Sequence, residues 1–213
     1  MTVYELPMFP LEQTVLPTAI VPLHIFEPRY RAFAADVTPR PDPEFGIAPI
    51  ERGREVGGDD VRADVAVVAR VIQHEEFPDG RWAVVSVATR RVRVHDWLAE
   101  DPYPRAMVAD WPDDDADTYL AGLGETPHAG LTEAIERIRV AAQRLQPGRP
   151  VPAAQLSDDP ARATWEAAVF AQLNPFDATS LLRVPGAIDR LARAEELIRE
   201  RAEVLEALAE EAG

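Results

Sequence analysis

The rest of the fold can be predicted outward from one segment, Val21-Pro22-Leu23-His24-Ile25-Phe26-Glu27-Pro28-Arg29-Tyr30-Arg31. Within this segment the chain changes from extended to helical structure. It continues the apolar stretch Ala19–Phe26, whose prolines favour a bent or edge strand. Pro28 suits the first turn of a helix, because that position needs no backbone N–H donor. Tyr30, Phe33 and Ala34 then follow at helical spacing. The segment therefore predicts a bent or edge strand followed at once by a helix that ends before Pro39.

Strand patterns continue on both sides of this segment and end near Trp111. Short apolar or alternating stretches occupy Tyr4–Phe9, Phe45–Ile50, Val61–Glu76, Arg81–Asp96 and Ala106–Trp111. Asp79-Gly80, between the two longest stretches, indicates a hairpin because glycine tolerates positive φ. Val92 and Val94 alternate with arginines, as is typical of a half-buried sheet. The first half of the chain is therefore predicted to form a closed or nearly closed barrel.

The composition changes after Trp111, where the aspartates 113, 114, 115 and 117 form an acidic run. We interpret this run as a solvated linker, with a recognition element for basic partners as the alternative. Apolar residues then recur at helical spacing over Leu131–Ala142, Ala161–Leu173 and Gly186–Ala212. Asp177 is placed to cap a short additional helix that ends at Leu182. We therefore expect an α+β protein with a β-rich unit over residues 1–112 and a helical unit over residues 113–213.

The composition excludes several classes of function. The net charge is −15, from 37 acidic and 22 basic side chains, so the surface repels nucleic acid and anionic lipid. No lysine occurs, which removes the phosphate-binding P-loop, the Ser-Lys dyad and the pyridoxal Schiff base. No cysteine occurs either, which is compatible with a reducing compartment. With no signal-type segment, we expect a cytoplasmic protein that binds neither nucleic acid nor membrane.

Catalytic and metal-binding patterns are absent from the sequence. The four histidines, His24, His74, His95 and His128, lack the spacing of metal ligands. The serines lack the Gly-x-Ser-x-Gly pattern of a hydrolase nucleophile. The sequence therefore predicts no metal site, no cofactor and no catalytic residue.

Taken together, these segments resemble the amino-terminal substrate-binding domain of Lon proteases. The string Pro22–Arg31 is a specific signature of that family, and Leu6–Leu11 precedes it at the family's spacing. Later segments also resemble the family in order and spacing. They are Phe45–Ile47 with Gly53–Gly57, Asp79–Arg81, Arg91–Val94 leading into Tyr103-Pro104, and Gln172–Pro175 with Ser180–Leu182. The resemblance implies an amino-terminal β-rich PUA-like pseudobarrel followed by a helical subdomain that ends in a long carboxy-terminal helix. Ala66-Val67 stands where the family usually has Gly-Thr, and Ala88 stands where it has glycine, which leaves open whether a bulge occurs at these points.

The function that the resemblance implies is a non-catalytic module that binds unfolded or extended polypeptide, here as a freestanding member without ATPase and peptidase domains. An adaptor or regulator of protein turnover is the expected role, with a Lon protease as a candidate partner. Two alternatives remain. One is a hydrolase with carboxylates and histidine in a cleft between the subdomains. The other is an RNA-binding protein, which only the PUA-like fold suggests and which the net charge opposes.

Five residues are the candidate polypeptide-binding residues: Glu27, Arg29, Tyr30, Phe33 and Trp82. Glu27 and Arg29 either clamp a peptide backbone or fix the helix to the barrel through charge-assisted hydrogen bonds. Tyr30 and Phe33 either belong to the core or line a groove. Trp82, beside the hairpin, either packs on its neighbours or anchors an apolar ligand.

The last predicted helix carries a second alternative. Leu191, Ile198 and Leu205 recur every seven residues. This spacing suits packing within the helical subdomain, and it equally suits the seam of a homodimer formed through the carboxy-terminal helix.

Overall fold

A computed structural model of the chain describes residues 2–53, 61–115 and 128–212. The chain divides into two compact units, Met1–Pro112 and Asp113–Gly213. The sequence motif at Arg54–Gly57 and the aspartate at position 117 lie outside the described residues.

The first unit contains eight strands and one helix within its described residues. Their bounds are β1 Val3–Pro7, β2 Ile20–Ile25, α1 Pro28–Val37, β3 Glu44–Ile47, β4 Ile50–Arg52, β5 Val61–Arg62, β6 Val65–Glu76, β7 Trp82–Trp97 and β8 Arg105–Asp110. The hairpin between β6 and β7 turns at Gly80, whose φ of +78° requires glycine. The short apolar strands and the proline-initiated helix thus form where the sequence pattern places them.

The strands form an antiparallel sheet in the order β1-β8-β7-β6-β3. Strand β7 is its centre: β6 pairs along one edge, while β2 and β8 pair with the two halves of the other edge. Beyond β1, Met8 and Leu11 make parallel bridges to Gly46 and Pro49. These bridges join the two ends of the sheet, so the first unit is the pseudobarrel that was predicted.

Two predicted strands are divided in the structure. Phe45–Ile50 forms both β3 and β4, because the chain leaves β6 to hydrogen-bond with the segment after β1. The amide of Leu11 donates to Ala48 O at 3.0 Å, and that of Ile50 donates to Leu11 O at 2.8 Å. Val61–Glu76 divides into β5 and β6 at Ala63, whose amide donates to Pro49 O at 2.9 Å.

The alanines that replace the family's glycines are accommodated without left-handed backbone. Among the described non-glycine residues, only Thr18 and Gln172 have positive φ. A bulge nevertheless occurs beside Ala88, because the register passes from Val68 opposite Arg90 to Ala69 opposite Ala88. The intervening Thr89 donates its hydroxyl to Val68 O at 3.0 Å. The bulge is therefore formed without glycine.

Close packing inside the barrel depends on one glycine. The side chains of Met8, Val68, Val92 and Val108 are fully buried together there. A β-carbon on Gly46 would lie 2.8 Å from Met8 Cε and 3.1 Å from Leu6 Cδ2. Gly46 is thus needed for the approach of the segment after β1.

The second unit contains four helices within its described residues: α2 Ala129–Leu145, α3 Pro160–Ala171, α4 Pro175–Leu182 and α5 Ala187–Glu211. Their apolar faces form its core, which includes Leu131, Ile135, Leu181, Leu191 and Ile198. No helix in the described part of the chain is both long and apolar enough to cross a membrane.

The cap of α4 differs from the prediction. Asn174, not Asp177, is the N-cap residue, and its side-chain oxygen accepts the amide of Asp177 at 3.0 Å. Pro175 fits the first helical position directly after it. The helix therefore begins earlier than a cap at Asp177 would allow.

The interpretation of the acidic run as a solvated linker is wrong for two of its residues. Asp113 accepts two hydrogen bonds from the buried guanidinium of Arg190. Asp115 accepts the amides of Ala187 and Ile188, at 2.6 and 2.9 Å, at the start of α5. These partners lie more than 70 positions away, at separations of 72, 73 and 77 residues, so local sequence gives no sign of them.

Candidate functional site

The junction between β2 and α1 holds the first two candidate residues. Glu27 directly precedes α1, and its carboxylate lies 3.3 Å from Arg29 Nε. Arg29 also donates to Glu100 at 3.2 Å and stacks its guanidinium 4.5 Å from the centre of the Tyr30 ring. Glu100 is bound in turn by Arg62. Glu27 and Arg29 thus belong to a network of alternating charges at the helix start.

The aromatic candidates Tyr30 and Phe33 belong to one cluster. Tyr30 is 4% exposed, with its ring centroid 4.3 Å from that of Phe9. Burial raises the pKa of the Tyr30 hydroxyl to about 12. Phe33 is 1% exposed and contacts Phe9, Phe45 and Tyr103 edge-on at 5.2 to 5.6 Å between centroids. Phe33 therefore presents almost no surface to a ligand.

Trp82 lies at the start of β7, opposite Ile25 of β2. It is 8% exposed, and its ring centroid is 6.0 Å from that of His74. The indole thus packs on its neighbours in the sheet.

A groove of about 240 Å³ runs beside β2. It is lined by Phe9–Leu11, by the continuous segment Pro22–Glu27 and by Tyr30. Successive residues of a strand point to opposite faces of the sheet. A groove that contacts all residues from 22 to 27 therefore follows the edge of the strand. Of the five candidates, Glu27 and Tyr30 line this groove, and Arg29, Phe33 and Trp82 do not.

The edge of β2 beside the groove has no strand partner among the described residues, since β2 pairs only with β7. Two large apolar side chains stand exposed at its ends, Ile20 at 68% and Phe26 at 58%. An edge strand presents backbone N–H and C=O groups to which another extended chain can pair. Pro22 removes one of these donors. The arrangement offers backbone hydrogen bonding along one side and apolar contact at both ends.

Sequence reasoning did not select Ile20, His24 and Phe26, which border or line this edge. In β2 the side chains of Val21, Leu23 and Ile25 are buried, while those of Ile20, Pro22 and His24 face outward. A strand with a solvated outer face carries polar residues at such positions. Apolar residues at outward positions were therefore the available sign of a binding edge.

The described residues do not provide a cluster of side chains that could bind a metal ion. No three histidine or carboxylate side chains among them come together as a metal ion would require.

Comparison with known proteins gives concordant results for sequence and fold. A family model described as the ATP-dependent protease La (LON) substrate-binding domain matches residues 5–200. Lon protease 2 of Herpetosiphon aurantiacus is 28% identical over 212 residues, which cover 96% of this chain and 25% of that protein. The chain thus spans about a quarter of the length of this relative.

Two solved structures share the fold. The Lon N-terminal domain protein from Xanthomonas campestris superposes with a TM-score of 0.63 at 25% identity, covering 89% of this chain and 96% of that one. The N-terminal domain of the Mycobacterium avium complex Lon protease superposes with a TM-score of 0.60 at 18% identity, covering 92% and 98%. Both the barrel and the helical unit are included in these superpositions, since nearly the whole chain is covered.

Proposed function

This chain belongs to the ATP-dependent protease La (LON) substrate-binding domain family, and on that premise we propose that it binds unfolded or extended polypeptides along the free edge of β2. The single observation that carries the proposal is the unpaired edge itself, bordered by a groove and by the exposed side chains of Ile20 and Phe26. A polypeptide that adds a strand to this edge would gain main-chain hydrogen bonds that do not depend on its sequence.

The candidate residues take different parts in this proposal. Tyr30 and Phe9 form the apolar floor of the groove, and the Glu27 carboxylate accepts an N–H group of the bound chain where the groove meets α1. Arg29 holds Glu27 in place through their ion pair. Phe33 and Trp82 support the floor and β2 from the core.

Binding of this kind is weak and tolerant of sequence. The apolar contacts are few, and an extended client must be ordered when it pairs with the strand, which offsets much of the contact energy. We expect dissociation constants of about 1 μM or weaker, equivalent to about −8 kcal/mol or less in magnitude. A client released this readily suits an adaptor or regulator of protein turnover, with a Lon protease as the partner that receives it.

The test is a titration of a labelled, permanently unfolded protein and of its folded parent, each at two salt concentrations. The unfolded form should bind and the folded form should not. Salt should have little effect, because the contacts are apolar side chains and hydrogen bonds to the uncharged main chain of β2. Phe26→Ser should weaken binding, whereas Phe176→Ser is the matched control, since Phe176 is an 80% exposed phenylalanine on α4. Equal affinity for both forms, or no binding to either, would refute the proposal.

A further inference from the structure

The helical unit contains a cavity of about 500 Å³, bounded by α2, α3, α5 and the extended segment that follows α2. Its lining combines apolar side chains, among them Ile138, Leu145, Phe170 and Leu205, with the polar residues Gln146 and Gln172. Two arginines, Arg149 and Arg201, also line this cavity, and Arg201 lines in addition a second groove that contains Asp177 and Glu200. The volume of the cavity is typical of sites for small ligands, and apolar walls with a few polar groups are the usual composition of such sites.

Arg201 of α5 is half-buried. Its Nε is buried and donates no hydrogen bond, and no other described residue forms an ion pair with its guanidinium. Three other arginines on the same helices have carboxylate partners, in the pairs Arg137–Glu206, Arg162–Glu166 and Arg190–Asp113. Because the chain carries 37 acidic residues against 22 basic ones, carboxylates are in excess. A half-buried cation left without one of them is suited to an external anion.

Gln172 adds a polar group to the cavity in an uncommon backbone conformation. It ends α3 with φ of 50° and ψ of 57°, a left-handed geometry that glutamine seldom adopts. Backbone held in sparsely populated conformations is concentrated at binding sites. Arg149 carries a further positive charge at the cavity, and its side chain forms no ion pair with another described residue.

We propose that this cavity binds the free carboxy-terminal carboxylate of a polypeptide whose last residues are apolar. Guanidinium groups bind carboxylates through paired, charge-assisted hydrogen bonds, which matches Arg201 and Arg149. At a chain end, the carboxylate is attached directly to a residue whose apolar side chain can pack against Ile138, Phe170 and Leu205. An internal aspartate or glutamate instead has polar backbone on both sides. Binding would remove this backbone from water without giving it new hydrogen-bond partners among the apolar side chains.

The inference rests on the proposed function insofar as the ligand is a polypeptide, but it assigns a separate site with its own specificity. The edge of β2 would bind any extended segment, whereas this cavity would select clients by the chemistry of their terminus.

The experiment uses the full chain and two labelled peptides of identical sequence that end in Leu-Phe, one with a free carboxylate and one with a terminal amide. The acid should bind more tightly than the amide by roughly tenfold, the usual effect of a charge-assisted hydrogen bond. Arg201→Gln should remove this difference, and Arg201→Lys should retain part of it. Arg199→Gln is the matched control, because Arg199 is exposed on the same helix and does not line the cavity.

The outcomes separate the two proposals. The inference is overturned if the acid and amide peptides bind equally, or if the preference for the acid persists in Arg201→Gln. In either case the titration with unfolded protein still tests the edge of β2. A carboxylate preference that depends on Arg201 supports the inference even if Phe26→Ser has no effect on unfolded clients. Displacement of the acid peptide by decanoate at concentrations below the peptide's own dissociation constant would overturn it in favour of a free fatty acid.

Discussion

The guanidinium of Arg190 donates to both carboxylate oxygens of Asp113, at 2.5 and 2.6 Å, across 77 positions of the chain. The Arg190 side chain has no exposed surface and also stacks 4.3 Å from the centroid of the Trp165 ring. This ion pair ties the first residues of the helical unit to α5 and to α3 at once.

Removing either partner of this pair should destabilise the helical unit strongly. Asp113→Ala leaves a buried guanidinium without its counter-ion, and such changes cost about 3–5 kcal/mol. Urea unfolding of the variant measures this loss. Arg193→Ala is the control, since Arg193 pairs with Glu196 on the surface and such pairs contribute about 0–1 kcal/mol. A double variant Asp113→Leu/Arg190→Met that is no more stable than Asp113→Ala would contradict this account.

Tyr30→Ala should destabilise the barrel and not merely weaken binding. The side chain is buried against Phe9, and loss of a buried aromatic costs about 3–5 kcal/mol. Tyr30→Phe should be close to neutral at pH 7, because no described residue accepts a hydrogen bond from the Tyr30 hydroxyl. Thermal and urea unfolding compare the two variants. An unchanged melting temperature for Tyr30→Ala together with lost client binding would show that Tyr30 is a ligand contact alone.

Glu44 should contribute stability that depends on pH. Hydrogen bonds from Arg90, at 2.9 and 3.1 Å, hold the pKa of Glu44 below its usual range, against the opposing effect of burial, and a further bond from Arg70 adds to this. A carboxylate whose pKa is lowered in the folded state stabilises it above the unfolded-state pKa, and this contribution is lost as pH falls through the folded-state pKa.

Glu44→Gln should therefore be less stable than the parent protein at pH 7 by about 1–3 kcal/mol. The difference should shrink as pH falls below about 4.3, the ordinary pKa of glutamate. Urea unfolding of both proteins between pH 7 and pH 3 measures it. A difference that stays constant over this range would mean that the glutamate charge is not what stabilises the site.

Gly46→Ala should destabilise the barrel core, because the added methyl group would overlap with the side chain of Met8. Overpacking of this kind costs about 1–3 kcal/mol. Shortening Met8 in the same molecule should relieve part of the overlap, so the effects of Gly46→Ala and Met8→Val should not add. Strict additivity in a double-mutant cycle would place the strain elsewhere.

The protein should show no ATPase or peptidase activity, because the sequence has no lysine for a phosphate loop or a Ser-Lys dyad. Incubation of the pure protein with ATP and with casein checks this. Turnover abolished by a point substitution in this chain would disprove it.

The fold class could be predicted from sequence because its elements are marked locally. Pro28 with Tyr30 and Phe33 indicated α1, and Asp79-Gly80 indicated the hairpin of β6 and β7, both of which occur. The roles of Asp113 and Asp115 were mispredicted, because their partners are set by tertiary contacts with α5. The sequence of a run of aspartates does not indicate whether its carboxylates face water or a buried arginine.

The candidate site was predicted only in part for a similar reason. Glu27 and Tyr30 line the groove, but the exposure of Ile20 and Phe26 depends on β2 lying at an edge. Pairing between strands is a long-range property, and periodicity within β2 alone does not reveal which of its edges lacks a partner. The environment of Arg201 could not be predicted either, since the lack of an ion pair is recognised only when the surrounding side chains are known.

The pairing of β1 with β8 has a consequence for how the protein is made. The Tyr4 hydroxyl bonds to Asp110, 106 positions further along the chain. At the usual rate of about 5–20 residues per second, β1 waits roughly 5–20 s on the ribosome before its partner strand is synthesised. The barrel therefore cannot close until β8, which ends at Asp110, has been synthesised, and until then β1 is an unpaired nascent strand that chaperones can bind.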